Sequence, residues 1–295
     1  MRTFRYHIVN VFVESDHSTF GGNPLCVFEN AQSMTDAEMQ SLAAQFNLSE
    51  TTFVLPRQYL PPQVRIFTPA FEMPFAGHPT VGTAFVVNAI GLPGCTGTSL
   101  TLNMKAGDIP VTLEAAGWTL TANVHTSRSS GISRADTAEM LGIAEDDLAQ
   151  EARYIDNGSE QLVIPVTSVE ALSRVKPSAT LLSKFVRNKL ERYLAYVVAR
   201  VPAVGAARGA ADRFQVRFFF PKDGGLTEDP GTGSACANLG GYLLDAGEPS
   251  PSQFTVTQGE FINRLNVLQL SLTADKRVRV GGRVVALGEG VIRLP

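Results

Sequence analysis

Three segments hold residues whose types and spacing could do chemistry: residues 21–28 (GGNPLCVF), 67–82 (FTPAFEMPFAGHPTVG) and 228–244 (EDPGTGSACANLGGYLL). In the second, His78 stands beside Gly77, just before a run of small and apolar residues that opens at Pro79. In the third, Asp229 holds the matching approach to a second such run, opening at Ser234. An imidazole and a carboxylate placed this way could move protons, and helix starts attract anions through their free backbone N–H groups and the helix dipole. Each residue alone would also suit a cap or a tight turn; their symmetric placement is what points to function. The glycines do not make a nucleotide site. No Gly-x-x-x-x-Gly-Lys-Ser/Thr occurs, and no Gly-x-Gly-x-x-Gly opens a helix after a strand with an acid about 20 residues on.

The elements that must position these groups can be read from periodicity. Phe4, Tyr6, Ile8 and Phe12, with Val9, Val11 and Val13 between them, predict an opening strand. Asn10 interrupts and Glu14 closes this apolar run before any small-residue cleavage site, so it is read as a strand and not as a signal peptide. Thr35-x-x-Glu38 is a capping box leading into Met39, Leu42, Ala43 and Phe46, a helix ending before Asn47. Strands follow at 51–55 and 64–68, each closed by a proline. The run 79–90 is apolar on every side, which predicts a helix inside a domain, stopped by Gly91. Residues 98–126 return to short strands. Residues 136–150 and 181–198 read as helical, the latter with Lys184, Arg187, Lys189 and Arg192 as a solvated face, and the Gly-Gly within 278–285 (VRVGGRVV) reads as a hairpin.

An internal echo organises the chain. Val64-Arg65-x-Phe67-x-Pro69 recurs as Val216-Arg217-x-Phe219-x-Pro221, and the same offset of 152 residues carries Thr80 onto Thr232. Both copies read as strand, proline, irregular loop and small-residue helix. A weaker echo pairs 47–56 (NLSETTFVLP) with 157–166 (NGSEQLVIPV), and the second half would hold an extra helical insertion. Two like halves, each with a buried helix wrapped by strands, would offer two helix N-termini to one anion.

Composition sets the outer bounds. The chain has 295 residues, enough for about two domains, with 44% hydrophobic and 18% charged residues, which excludes disorder as its main state. A net charge of −3 with dispersed Lys and Arg gives no footprint for nucleic acid or an anionic membrane, and no stretch of 18 apolar residues occurs, so a small-molecule partner is expected. Cys26, Cys95 and Cys236 are too few and too scattered for a disulfide framework or a zinc site, which suits a reducing, cytoplasmic setting with no metal.

The opening Gly22-Asn23-Pro24, Leu48-Ser49-Glu50-Thr51, Phe75-Ala76-Gly77-His78-Pro79-Thr80 and Glu228-Asp229-Pro230-x-Thr232-Gly233-Ser234-Ala235, in this order, resemble the phenazine-biosynthesis (PhzF-like) family of the diaminopimelate epimerase fold superfamily. The resemblance covers nearly the whole chain. It implies an α+β fold of two pseudo-symmetric halves, each a mixed β-sheet rolled around a central helix, with the active site in the cleft between them. The expected halves are residues 1–122 with about 286–295, carrying Glu50, Gly77 and His78, and residues 123–285, carrying Asp229, Gly233 and Ser234.

By the same resemblance Glu50 is the proton-transferring acid/base, His78 and Asp229 flank the substrate, and Gly77, Gly233 and Ser234 donate to its carboxylate. Read without it, a Ser-x-Glu before a strand is commonly a surface turn. Epimerases of this fold use one cysteine per half; here Ala76 precedes Gly77-His78 and Asp229-Pro230 precedes Gly231-Thr232, so the two-thiol mechanism is not expected, and Cys236 is read as packing inside the second helix. The implied activity is a cofactor-independent isomerase moving a proton on a small carboxylate-bearing substrate, acting as a homodimer. An amino-acid epimerase without thiol bases, or a ligand-binding protein without turnover, stays open. Where the family commonly has Gly-Arg-Pro-Ser, this chain reads Asn263-Arg264-Leu265-Asn266, which puts substrate details or the dimer surface in question, not the fold.

Overall fold

In a computed structural model, which describes residues 1–203, 212–222 and 224–295, the opening alternation is a strand, β1 (Arg2–Val13), buried along its second half. The described residues divide into two compact units, Met1–Thr121 with Gly281–Pro295, and Ala122–Val280.

In the first unit β1 pairs antiparallel with β2 (Asn23–Phe28) and with the last strand of the chain. β3 (Glu50–Leu55) joins β2 in parallel, β4 (Gln63–Phe67) is antiparallel to β3, and the short β5 (Glu72–Met73) folds back on β4. β6 (Ser99–Met104) runs parallel to β4, and β7 (Gly107–Glu114) and β8 (Gly117–Thr121) continue antiparallel. Helix α1 (Asp36–Phe46) starts at the expected capping box, Thr35 accepting from the Glu38 N–H and the Glu38 carboxylate from the Thr35 N–H. It ends at Asn47 in the left-handed conformation, and buries Met39, Leu42 and Ala43 on Phe28, Phe53 and Phe67. Helix α2 (Gly77–Ala89) has ten buried residues of its 13 and packs on β1, β2, β3, β6 and β8. Strands approach it so closely that a Cβ on Gly82 would lie 2.6 Å from Leu25 Cδ2 and 2.7 Å from Val11 Cγ2.

The second unit repeats this pattern. Its strands are β9 (Thr126–Ser129), β10 (Arg153–Asp156), β11 (Gln161–Val166), β12 (Ala195–Val201), β13 (Arg213–Lys222), β14 (Gly225–Asp229), β15 (Ser252–Gln258) and β16 (Asn266–Leu272). From β10 to β16 the successive pairings are antiparallel, parallel, antiparallel, antiparallel, parallel (β13 to β15) and antiparallel. That is the order found from β1 to β7. Helices α3 (Arg134–Leu141), α4 (Val169–Arg174) and α5 (Ala179–Phe185) are the extra helical material of this unit and cover an apolar layer that includes Leu162, Ile164 and Val197. Helix α6 (Gly233–Asp245) is the counterpart of α2, again with ten buried residues of 13. β17 (Val278–Leu294) closes the chain.

The main echo has a physical basis. Arg65 on β4 binds Glu72 through two N–H···O contacts of 2.8 Å and lies over Phe67; Arg217 on β13 binds Glu228 and lies over Phe219. Each clamps the strand that folds back before the central helix. The rest of the echo needs correction. The loop to α6 is four residues longer, so Thr80 is the fourth residue of α2 while Thr232 is the residue just before α6. The weaker echo does not follow topology: Glu50 opens β3, the counterpart of β12, whereas Glu160 precedes β11, the counterpart of β2, and is bound by Arg128.

Three elements also differ from the sequence reading. Residues 181–198 hold only the end of α5 and then β12, and residues 136–150 hold α3 followed by a short 3-10 turn. Gly281 and Gly282 sit inside β17, where a Cβ on Gly281 would lie 2.2 Å from Thr119 Oγ1; close strand contact, not a turn, requires Gly281. No helix among the described residues is long and apolar enough to cross a membrane.

Candidate active site

The first unit brings Glu50, Gly77 and His78 together. Glu50 is the first residue of β3 and His78 the second of α2; His78 Nδ1 lies 3.3 Å from Glu50 Oε2. Two residues along β3, Thr52 Oγ1 lies 2.9 Å from Thr83 Oγ1 and ties strand to helix, which fixes the register of the pair. The imidazole is buried, and burial holds its pKa down to about 3 against the opposing pull of a hydrogen bond to the Pro24 carbonyl. His78 is therefore neutral at physiological pH.

The second unit brings together Asp229, Gly233 and Ser234. Asp229 ends β14 and is buried; Thr232 Oγ1 donates to its carboxylate. Gln258, fully buried on β15, braces the turn: its Nε2 donates to the Asp229 carbonyl (2.8 Å) and to Thr232 Oγ1 (3.0 Å), and its Oε1 accepts from the Thr232 N–H (3.2 Å). Asn266, from the stretch that departs from the family pattern, packs directly under this turn. A Cβ on Gly231 would lie 2.2 Å from Asn266 Oδ1, and Asn266 Nδ2 donates to the Arg264 carbonyl.

The two units are matched at one position that the sequence reading had assigned otherwise. The counterpart of His78 is Ser234, each the second residue of its central helix, and not Asp229. Each is also met from the start of the equivalent strand, His78 by the Pro24 carbonyl of β2 and Ser234 Oγ by Gln161 Nε2 of β11 at 3.0 Å.

The starts of α2 and α6 share a further property. α1, α3, α4 and α5 are capped by the side chains of Thr35, Ser133, Ser168 and Ser178, whereas neither Ala76 at α2 nor Thr232 at α6 makes a side-chain cap. Thr232 is a residue type that normally caps, yet its hydroxyl is directed to Asp229. A helix start without a side-chain cap leaves backbone donors to water or to a ligand anion.

Cys236 is fully buried in α6 and burial pushes its thiol pKa well up, so it has no thiolate character. Among the described residues no three His, Cys, Asp or Glu side chains gather in a metal-binding group. Gln258, Gln161, Asn238 and Asn266 were missed from the sequence. They lie within or beside segments that the sequence singles out for other reasons, and their roles depend on contacts that, for Gln258, Gln161 and Asn238, span 26 to 81 residues.

Comparison with known proteins shows the family and the fold. The family described as phenazine biosynthesis-like protein matches residues 9–290. An uncharacterized isomerase of Pasteurella multocida is 38% identical over 99% of this chain and 95% of its own. The trans-2,3-dihydro-3-hydroxyanthranilate isomerase of Pseudomonas chlororaphis is 32% identical over 98% and 99%. The crystal structure of a PhzF-family protein of Bacillus anthracis superposes over the whole of both chains with a TM-score of 0.85 at 23% identity, which establishes the common fold. The α+β fold is shared more distantly with a hydroxyproline epimerase of Agrobacterium vitis, at a TM-score of 0.57 and 12% identity over 99% of this chain and 92% of that one.

Proposed function

The chain belongs to the phenazine biosynthesis-like family and is an isomerase; from that premise we propose that it shifts a proton on a small carboxylate-bearing substrate, with Glu50 as the single acid/base and no cofactor. The observation that carries this reading is the Glu50–His78 pair at the start of α2. A cationic imidazole at 3.3 Å would hold Glu50 as a carboxylate and oppose its protonation. A neutral one brings no such charge, and Glu50 is then the group that takes a proton from carbon and returns it to another carbon on the same face. Removing a proton from carbon near neutral pH also demands stabilisation of the negative charge that develops, and preorganised N–H donors supply it. Gly77, Gly233 and Ser234 would provide those donors to the substrate carboxylate, with Asp229 against the same substrate.

The isomerase relatives support a cyclic, amino-substituted acid as the class to test first, and trans-2,3-dihydro-3-hydroxyanthranilate is the compound their name supplies. The test is turnover in deuterated water. An isomerase converts the substrate and labels the carbon that gains the proton; an epimerase inverts a centre without moving a double bond; a binding protein does neither and overturns the proposal. Activity that is lost on dialysis against a chelator, and restored by metal, would overturn the cofactor-independent part alone.

A further inference from the structure

The polarity of a buried amide chain in the second unit is fixed by the backbone, and it ends on Ser234. The Asn157 N–H, which can only donate, binds Asn238 Oδ1 at 3.0 Å. The Ser159 carbonyl, which can only accept, receives Asn238 Nδ2 at 2.8 Å. These two contacts settle which end of the Asn238 amide is oxygen. Asn238 Nδ2 then donates its second hydrogen to Gln161 Oε1 at 2.7 Å, which settles the Gln161 amide in turn and leaves its Nε2 to donate to Ser234 Oγ at 3.0 Å. Asn238 and Gln161 are buried, so neither amide turns over without losing hydrogen bonds that water cannot replace.

Ser234 Oγ is thus an acceptor from Gln161, which occupies one of its two lone pairs and keeps its hydrogen off that side. We propose that Gln161 and Asn238 are positioning residues that set the Ser234 hydroxyl as a donor toward the substrate carboxylate. This rests on the reading of Ser234 as a carboxylate-binding residue and adds what fixes its hydrogen. A hydroxyl has one hydrogen and two lone pairs; with one lone pair held by Gln161, fewer rotations are left to it and its hydrogen is kept for a partner other than the amide. It is the counterpart, in the second unit, of the Pro24 contact on His78 in the first.

The experiment has two readouts. The first needs no ligand: in labelled protein the side-chain N–H protons of Gln161 and Asn238 are expected to be protected from exchange, and Ser234→Ala is expected to reduce the protection of Gln161 but not of Asn238. Gln161 protons that exchange like those of a free amide, or that ignore Ser234→Ala, overturn the hydrogen-bond chain. The second is affinity for 3-hydroxyanthranilate. Ser234→Ala and the near-isosteric Gln161→Met are each expected to weaken it by about tenfold, the order of one hydrogen bond to a charged group, and the double variant to be no weaker than Ser234→Ala alone. Additive losses would mean that Gln161 acts through general packing and would overturn the positioning role, with thermal unfolding of each variant separating loss of fold from loss of binding. Wild-type protein that binds neither 3-hydroxyanthranilate nor anthranilate overturns the carboxylate reading of Ser234 and with it the donor role, a result distinct from any in the exchange measurement.

Discussion

His78 and Ser234 occupy the same place, second residue of the central helix, in two units of like strand order. One position thus carries an imidazole beside a carboxylate, suited to proton transfer, and the other a hydroxyl held by an amide, suited to binding. The acids follow no such symmetry: Glu50 opens the third strand of its unit, and Asp229 ends the strand that folds back before α6. The two units therefore differ at the candidate site residues while sharing the Arg–Glu clamps and the glycines that let strands approach the helices.

Glu50→Gln is expected to reduce kcat by about 10²–10⁴, the usual contribution of a general acid/base, and to leave the affinity for 3-hydroxyanthranilate within a few-fold of wild type. Gln keeps the shape beside His78 and cannot cycle a proton. Turnover within a few-fold of wild type would remove Glu50 from the mechanism.

His78 predicts a distinct pH dependence of stability. Its pKa is lowered from the ordinary 6.5 to about 3 in the folded protein, so the unfolded chain binds the proton more tightly. The stability this group contributes is full above pH 6.5 and is lost as pH falls toward 3, with a slope of about 1.4 kcal/mol per pH unit for one proton. Between pH 6.5 and about 4.5 carboxylate titration adds little. Denaturant unfolding over this range should show the slope in wild type and not in His78→Gln, and the His78 ring resonances should report a neutral imidazole at pH 5. A ring that titrates near 6.5 would contradict the burial argument.

The parts of the fold legible in the sequence were those with a local cause. The capping box at Thr35 and Glu38, the all-round apolar α2 and the Val-Arg-x-Phe-x-Pro repeat each carry their reason within a few residues. The misreadings had causes at a distance. β12 is a short apolar run with parallel and antiparallel partners, and such a run cannot be told from a buried helix by periodicity alone. Gly281 and Gly282 read as a turn because the strand they meet, β8, lies far back in the chain, Thr119 being 162 residues before Gly281. At the site, His78 and Asp229 stand out by their placement before the two small-residue helices and Glu50 through the family resemblance, while Gln161 and Gln258 become visible only from hydrogen bonds that span 73 and 29 residues.

Cys236→Ala is expected to keep activity within about tenfold of wild type, and the wild-type thiol to resist alkylation under native conditions. Its sulfur is fully buried and its pKa is raised by that burial, so neither access nor thiolate is available. Rapid labelling of Cys236 that abolishes turnover would instead favour thiol-based epimerase chemistry.

Gln258→Met tests whether the turn that presents Asp229 is held from beneath. The substitution keeps the length of the side chain and removes the donors to the Asp229 carbonyl and Thr232 Oγ1 and the acceptor for the Thr232 N–H. Groups left unpaired in a buried turn cost about 1–3 kcal/mol each, so the urea midpoint should fall clearly while the protein stays folded in buffer. The Thr232 hydroxyl, released from Gln258, could then cap α6 instead of donating to Asp229. If Asp229 acts on the substrate, kcat should fall by about tenfold or more in Gln258→Met, and Asp229→Asn should lower it further with a much smaller effect on the urea midpoint. Unchanged stability in Gln258→Met would show that the brace bears no load, and full activity in Asp229→Asn would take Asp229 out of the reaction.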